Sequence, residues 1–259
     1  MKIAHEAPKS IFADVQGYTD YDYALVHLFE EDNEYYNLFK RSVEEGNEVL
    51  LDNSIFELGI SFDGDKYYKW INELQPTWYI IPDVLEDKDA TLRKMDEWQS
   101  KYKIDSTIQS IGVVQGKDYK EIVESYKEIS TRVDKIAISF DYSFFDMDPT
   151  YNRYYNYMLG RINTIHRMNC DGIIDTSKPH HLLGCGLPQE FKAYTGLKWI
   201  DSIDTSNPVV HGINSIRYED NGLFFKISTK LIDYMNCEIA PEQLSDIKYN
   251  MEKFRSFTE

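Results

Sequence analysis

The chain of 259 residues carries 44 acidic and 28 basic side chains, a formal net charge of −16, which excludes a protein that grips duplex nucleic acid through bulk positive charge, because that affinity comes from Lys and Arg on phosphates. Hydrophobic residues at 42% and aromatics at 14% supply a core for one large domain and exclude a disordered or low-complexity chain. Three widely spaced cysteines, Cys170, Cys185 and Cys237, argue against a disulfide framework or a Cys-rich zinc site; with neither a signal-peptide core near the N-terminus nor a run of ~18 apolar residues, a soluble, reducing, cytoplasmic setting without membrane contact is expected.

Apolar runs alternate with amphipathic stretches. In chain order the predicted strands are residues 23–29, 49–51, 78–81, 108–114, 136–138, 181–183 and 199–203. Short runs rich in Val and Ile suit strands buried on both faces of a parallel sheet. Predicted helices lie at 86–103, 118–132 and 150–168, where apolar residues such as Leu92, Met95, Trp98 and Tyr102 step by three or four and so share one face. Asp118 followed by Glu121 has the form of a helix N-cap. Residues 215–227 read as a hairpin turned at Asp220-Asn221-Gly222. Strand–helix alternation over this length predicts an α/β fold: a single (β/α)8 TIM-like barrel over residues 1–259 with a small β-hairpin arm at about 215–227. A doubly wound sheet is the alternative.

Polar residues follow the predicted strands: Asp52, Asp83, Gln115 with Gly116, Ser139, the 184–186 turn (Gly184, Cys185, Gly186), and Asp201. In a parallel barrel such positions share the rim that carries active sites. An Asp with a Gln reads a guanine-like edge, the carboxylate accepting from ring N–H and amine, the amide donating to the carbonyl. Two further carboxylates suit glycosyl exchange, one attacking the anomeric carbon and one moving a proton. His180 and His181 are adjacent on a strand and point to opposite faces, so they read as structural. Asp204 reads as a loop cap, Asp141 and Asp146 as solvated loop residues, and the tyrosines of 151–157 as core.

The ordered set of motifs resembles the tRNA-guanine transglycosylases. Residues 178–191, KPHHLLGCGLPQEF, are similar to that family's K-P-R-Y-L-M-G-V-G-x-P-E-D-L. WIDSID at 199–204 resembles M-F-D-C-V, LDNSIFE at 51–57 resembles T-D-S-G-G-F-Q, and VVQG at 113–116 matches I-V-Q-G. The resemblance implies a (β/α)8 barrel in which Asp201 is the nucleophile on C1′ and Asp52 the general acid/base. It places Asp83, Gln115 and Gly116 at the base. Ser139 stands where the family's glycine pair offers a backbone N–H to the base carbonyl. Phe56 and Leu183, beside Gly184, stand where the family sandwiches the base.

The departures shape the expected substrate. Only Cys237 lies where the family has its C-x-C-x-x-C…H zinc site, so no zinc subdomain and no metal are expected. TSNPVVH at 205–211 lacks the family's arginines after the nucleophile. These features resemble the phage and bacterial DNA transglycosylases of the DpdA type, which exchange guanine in DNA for a 7-deazaguanine such as preQ0. The resemblance implies a pentosyltransferase with DNA, guanine and a 7-deazaguanine co-substrate as partners and no other cofactor, acting in the cytoplasm (the host's, if phage-encoded). A tRNA or RNA transglycosylase, a non-catalytic barrel subunit that binds a modified base, and a barrel hydrolase of N-glycosides are the alternatives. An acidic chain needs local cations to hold DNA, and Lys178, Lys198, His211 and Arg217 are the candidates. A basic protein partner or a homo-oligomer is the other source of grip.

Overall fold

The computed structural model describes residues 1–227 and 230–259. Eight strands form one parallel sheet: β1 (Lys2–His5), β2 (Asp22–Leu25), β3 (Val49–Asp52), β4 (Trp78–Ile80), β5 (Gln109–Val114), β6 (Lys135–Ser139), β7 (His180–Leu183) and β8 (Ile200–Thr205). Their order is β1-β8-β7-β6-β5-β4-β3-β2 with helices interleaved along the chain, the (β/α)8 TIM-like architecture that the alternation predicts. The helices are α1 (Phe12–Gln16), α2 (Val26–Glu31), α3 (Asn33–Glu44), α4 (Ile55–Leu58), α5 (Gly64–Leu74), α6 (Lys88–Lys101), α7 (Tyr119–Ile129), α8 (Arg153–Cys170), α9 (Asn207–Ile213) and α10 (Pro241–Thr258). The chain packs as two compact units. Among the described residues no helix is long and apolar enough to cross a membrane.

The first unit comprises Tyr21–Ile138 with Gly172–His180. Its strands pair in parallel, with Leu25 opposite Asp52, Leu51 opposite Tyr79 and Ile80 opposite Ile111. β3 is buried along its whole length. The Tyr67 hydroxyl lies 2.8 Å from the Leu51 carbonyl and 3.0 Å from that of Ile80, tying the ends of β3 and β4. Asp32, Asp63, Asp87 and Asp118 each accept a backbone N–H at the start of a helix, satisfying donors the helix cannot. The Asp118 cap is the one the sequence predicts. α6 starts at Lys88 rather than 86 because Glu86 takes a positive φ of 54° and Asp87 caps. The run 23–29 also differs: β2 ends at Leu25, and Val26 to Phe29 are helical. All of these residues are buried, and a continuous apolar run does not distinguish a strand from a buried helix.

The second unit comprises Met1–Asp20, Ser139–Asp171 and His181–Glu259. β1 escapes prediction because Ile3 and Ala4 are its only apolar residues; it runs parallel to β8, with Ala4 opposite Asp204 and His5 opposite Thr205. α10 packs on α9 and on the 3-10 segment Pro188–Tyr194, where the Phe191 and Phe254 rings stand 5.1 Å apart. Asn152 caps α8. Of the 151–157 tyrosines, Tyr157 is buried, Tyr154 and Tyr155 are half-buried, and Tyr151 is exposed.

Of the hairpin expected at 215–227, the turn at Asp220-Asn221 closes through an antiparallel bridge between Glu219 and Gly222 with two backbone hydrogen bonds, and among the described residues no named strand flanks it. Side chains take the place of a partner strand. Gln189 donates from Nε2 to the Leu223 carbonyl and accepts the Leu223 N–H, while Asn152 Nδ2 donates to the Phe224 carbonyl.

Candidate functional site

In the first unit the polar residues after β3, β4 and β5 meet. Asp52 closes β3; its Oδ2 accepts the Tyr23 hydroxyl at 2.8 Å and its Oδ1 accepts the Ser54 N–H at 2.5 Å. Ser54 takes a left-handed φ of 61°, which turns the chain sharply after the strand. The buried Asn53 amide donates to Asp83 Oδ1 at 2.8 Å and to the Ile81 carbonyl at 3.2 Å. Gln115 Nε2 donates to Asp83 Oδ2 at 2.6 Å, and Gln115 Oε1 accepts the Glu86 N–H at 2.9 Å. Asp83 is buried, and burial pushes its pKa up, while the bonds from Asn53 and Gln115 pull the other way. Gly116 seats this turn on α7, since a Cβ there would stand 2.8 Å from Glu121 Cβ and 2.9 Å from the Ile122 nitrogen. Beside Asp52, Phe56 on α4 is 47% exposed and Ile60 72% exposed.

In the second unit a second cluster surrounds Asp204. Its Oδ1 faces His181 Nε2 at 3.0 Å and accepts the Gly184 N–H at 3.2 Å. His181 Nδ1 lies 3.0 Å from Ser202 Oγ. With Asp204 ionised, Nε2 carries the proton and donates, and Nδ1 accepts from the Ser202 hydroxyl. Oδ2 of Asp204 has no hydrogen-bond partner among the described residues. The backbone that offers the Gly184 N–H is clamped. Arg161, fully buried, donates to the carbonyls of Leu183 and Gly184, each at 2.9 Å, and pairs with buried Glu190 through Nε at 2.6 Å. Tyr194 donates to the same Glu190 oxygen at 2.6 Å. Gly184 has φ 63°, and a Cβ there would come within 2.6 Å of the Phe140 ring, so the turn requires glycine.

The structure moves the carboxylate at the end of β8. The strand does not stop at Asp201 but runs on to Thr205, so Asp201 is its second residue and Asp204 lies near its end. Asp204 is a buried strand residue rather than a loop cap. Side chains alternate along a strand, so Asp204 shares a face with Ser202 and Asp201 does not. The Ser139 N–H, expected at a base carbonyl, donates to the Tyr142 hydroxyl at 3.2 Å, and Ser139 Oγ donates to Asp141 at 2.6 Å. The candidate DNA cations lie on or beside different elements. Lys178 precedes β7 and donates to the Val133 carbonyl at 2.7 Å; Lys198 precedes β8. His211 is buried in α9, with burial lowering its pKa, and Arg217 pairs with Asp246 of α10 at 2.6 Å.

No protein-family model and no curated protein matches the chain.

The chemistry of the two clusters therefore stands on their geometry. The first is a buried carboxylate–amide pair from the ends of β4 and β5 with a second carboxylate, Asp52, at the end of the preceding strand β3. The second is a carboxylate with one oxygen oriented by two donors and the other open to attack an electrophile. Among the described residues, no group of three His, Cys, Asp or Glu is placed to hold a metal ion. Asn53, His181, Ser202, Arg161 and Glu190 were not singled out as functional from sequence. One signal was present: Ser202 and Asp204 are two apart and so share a face.

Proposed function

We propose that the protein is a base-exchange transglycosylase that replaces guanine in DNA with a 7-deazaguanine through a covalent aspartyl–sugar intermediate. The observation that carries the reading is the Asp83–Gln115 pair, a buried carboxylate and amide from separate strand ends held 2.6 Å apart. It supplies the acceptor and the donor that a guanine edge needs. The motif resemblance supports it, with one change. Laying M-F-D-C-V on residues 202–206 puts its Asp at Asp204, the carboxylate with an oriented Oδ1. Asp204 is the nucleophile in this reading, and His181 and Gly184 position it.

The reaction is a double displacement. The target nucleotide leaves the base stack so that C1′ is reachable. In the roles taken from the motif resemblance, Asp204 Oδ2 attacks C1′, the C1′–N9 bond breaks, and Asp52 in its acid form protonates the departing guanine at N9. The incoming 7-deazaguanine gives its N9 proton to the Asp52 carboxylate. Its N9 then attacks C1′ and the aspartyl ester breaks, restoring Asp204. Two inversions give retention. Tyr23 and the Ser54 N–H, each on one Asp52 oxygen, hold that carboxylate in place.

Incubation with guanine-containing DNA and a panel of 7-deazaguanines, followed by nucleoside mass analysis, tests the reading. Incorporation into DNA supports it, and incorporation into tRNA alone moves the substrate to RNA. Free guanine released without an incoming base identifies a hydrolase, and no turnover with any partner rejects exchange.

A further inference from the structure

We propose that the Lys226 ammonium is a phosphate-binding site for the nucleotide that reacts at Asp204, an inference that rests on the base-exchange reading. Lys226 Nζ lies 2.6 Å from the carbonyl of Cys185, in the same turn whose Gly184 N–H orients Asp204. The ring of Phe140 lies 4.3 Å from this nitrogen and that of Tyr154 5.7 Å. Aromatic faces hold an ammonium without neutralising it.

Three observations point to an anion. An ammonium has three donors, and among the described residues the Cys185 carbonyl is the one acceptor within reach of Lys226. Two donors are left over. Next, several of the chain's cations, though not all, pair with carboxylates: Lys66 with Glu30, Lys88 with Glu124, Lys253 with Asp220, Arg217 with Asp246, Arg255 with Asp20. Lys226 has no carboxylate within ion-pair distance among the described residues, although the chain has 44 acids; Asp141 and Glu6 act on it only at longer range. Last, Lys226 is half-buried, and its desolvation lowers its pKa. A bound anion reverses that effect. The phosphates of a nucleotide flank the sugar that carries C1′, so a cation bonded to the turn that orients the nucleophile is suitably placed for one. A lysine binds phosphate as a point charge.

Calorimetry with deoxyguanosine, its 5′- and 3′-monophosphates and inorganic phosphate tests the site. The wild-type protein is expected to bind one monophosphate about tenfold or more tighter than deoxyguanosine. Lys226→Met should close that gap and leave deoxyguanosine affinity unchanged, and Lys226→Arg should restore most of it. A gap that persists in Lys226→Met, or no gap in the wild type, overturns the proposal. If both variants lose deoxyguanosine affinity and melt early, Lys226 is a strut for the 223–226 segment and the proposal is also overturned. The exchange assay separates the two readings. A Lys226-dependent gap without base incorporation leaves the phosphate site and removes base exchange; incorporation without a gap does the reverse.

Discussion

His181 Nε2 stands 3.0 Å from Asp204 Oδ1, and both side chains are buried. A carboxylate out of water needs donors, and this one receives them from an imidazole on β7 and a glycine N–H in the turn that follows. The histidine is itself fixed by Ser202, so its tautomer follows from its neighbours rather than from solvent.

His181→Ala is expected to lower kcat for base exchange about 100-fold, because a misplaced nucleophile loses alignment. Affinity for free guanine, which the proposed reading assigns to the Asp83–Gln115 pair, should stay at the wild-type value. Steady-state kinetics beside calorimetry with guanine checks the split. A loss confined to KM would remove His181 from positioning Asp204.

Asp204→Asn should abolish incorporation by ~10³-fold or more, the scale of losing a nucleophile. Asp201→Asn, three residues earlier and on the other face of β8, should stay within a few-fold of wild type. The two variants measured side by side with labelled base decide the assignment. Full activity in Asp204→Asn would return the role to Asp201.

Guanine affinity should fall on acidification sooner than an ordinary carboxylate predicts. Burial raises the pKa of Asp83. As pH drops through that raised value the carboxyl takes a proton and loses acceptors for the guanine N–H groups. Asp83→Asn should bind weakly with no such pH dependence, and Gln115→Ala should weaken guanine by about 5- to 150-fold, the cost of an unsatisfied partner. Calorimetry from pH 4 to 8 reads all three. A wild-type profile flat across that range would take Asp83 out of base recognition.

Arg161→Met should destabilise the fold by about 3–5 kcal/mol, because it strands the Glu190 carboxylate without its counter-ion. The carbonyls of Leu183 and Gly184 lose their donors in the same step. Adding Glu190→Leu should recover much of the loss. Urea unfolding of the single and double variants is the check, and additive losses would refute the pairing.

Mild acid should weaken the protein through its buried histidines. Burial holds the imidazoles of His5 and His180 down at about 3 and about 4. Both pKa values lie below the unfolded value near 6.5, so the unfolded chain binds more protons as pH falls from 6.5. Stability then declines, and His180 stops contributing to the decline below about 4. Each unit of depression is worth about 1.4 kcal/mol. Urea midpoints at pH 7 and pH 5 should differ in that direction; His180→Gln should reduce the difference.

The alternation of short apolar runs was legible because buried parallel strands have no polar face to interrupt them. The partners of Asp83 were partly legible, since Gln115 also ends a strand. The end of β8 was misread for a physical reason. A carboxylate inside a strand looks like the strand's end, and only the tertiary donors His181 and Gly184 make a buried Asp204 tolerable. Arg161 and Glu190 were invisible for a related reason: a charge in a helix reads as surface until its counter-ion, far along the chain, is known. In the 215–227 segment the turn was legible, whereas the amides of Gln189 and Asn152 bond the backbone beyond it, which no local pattern announces.

The pairing of β1 with β8 cannot form until late in synthesis. A ribosome delivers Lys2–His5 first and their partner Ile200–Thr205 late. β2 to β6 come out in succession, and each lies beside the next in the sheet. Domains generally fold as their chain emerges. Asp83 and Gln115 thus leave the ribosome before Asp204 is made.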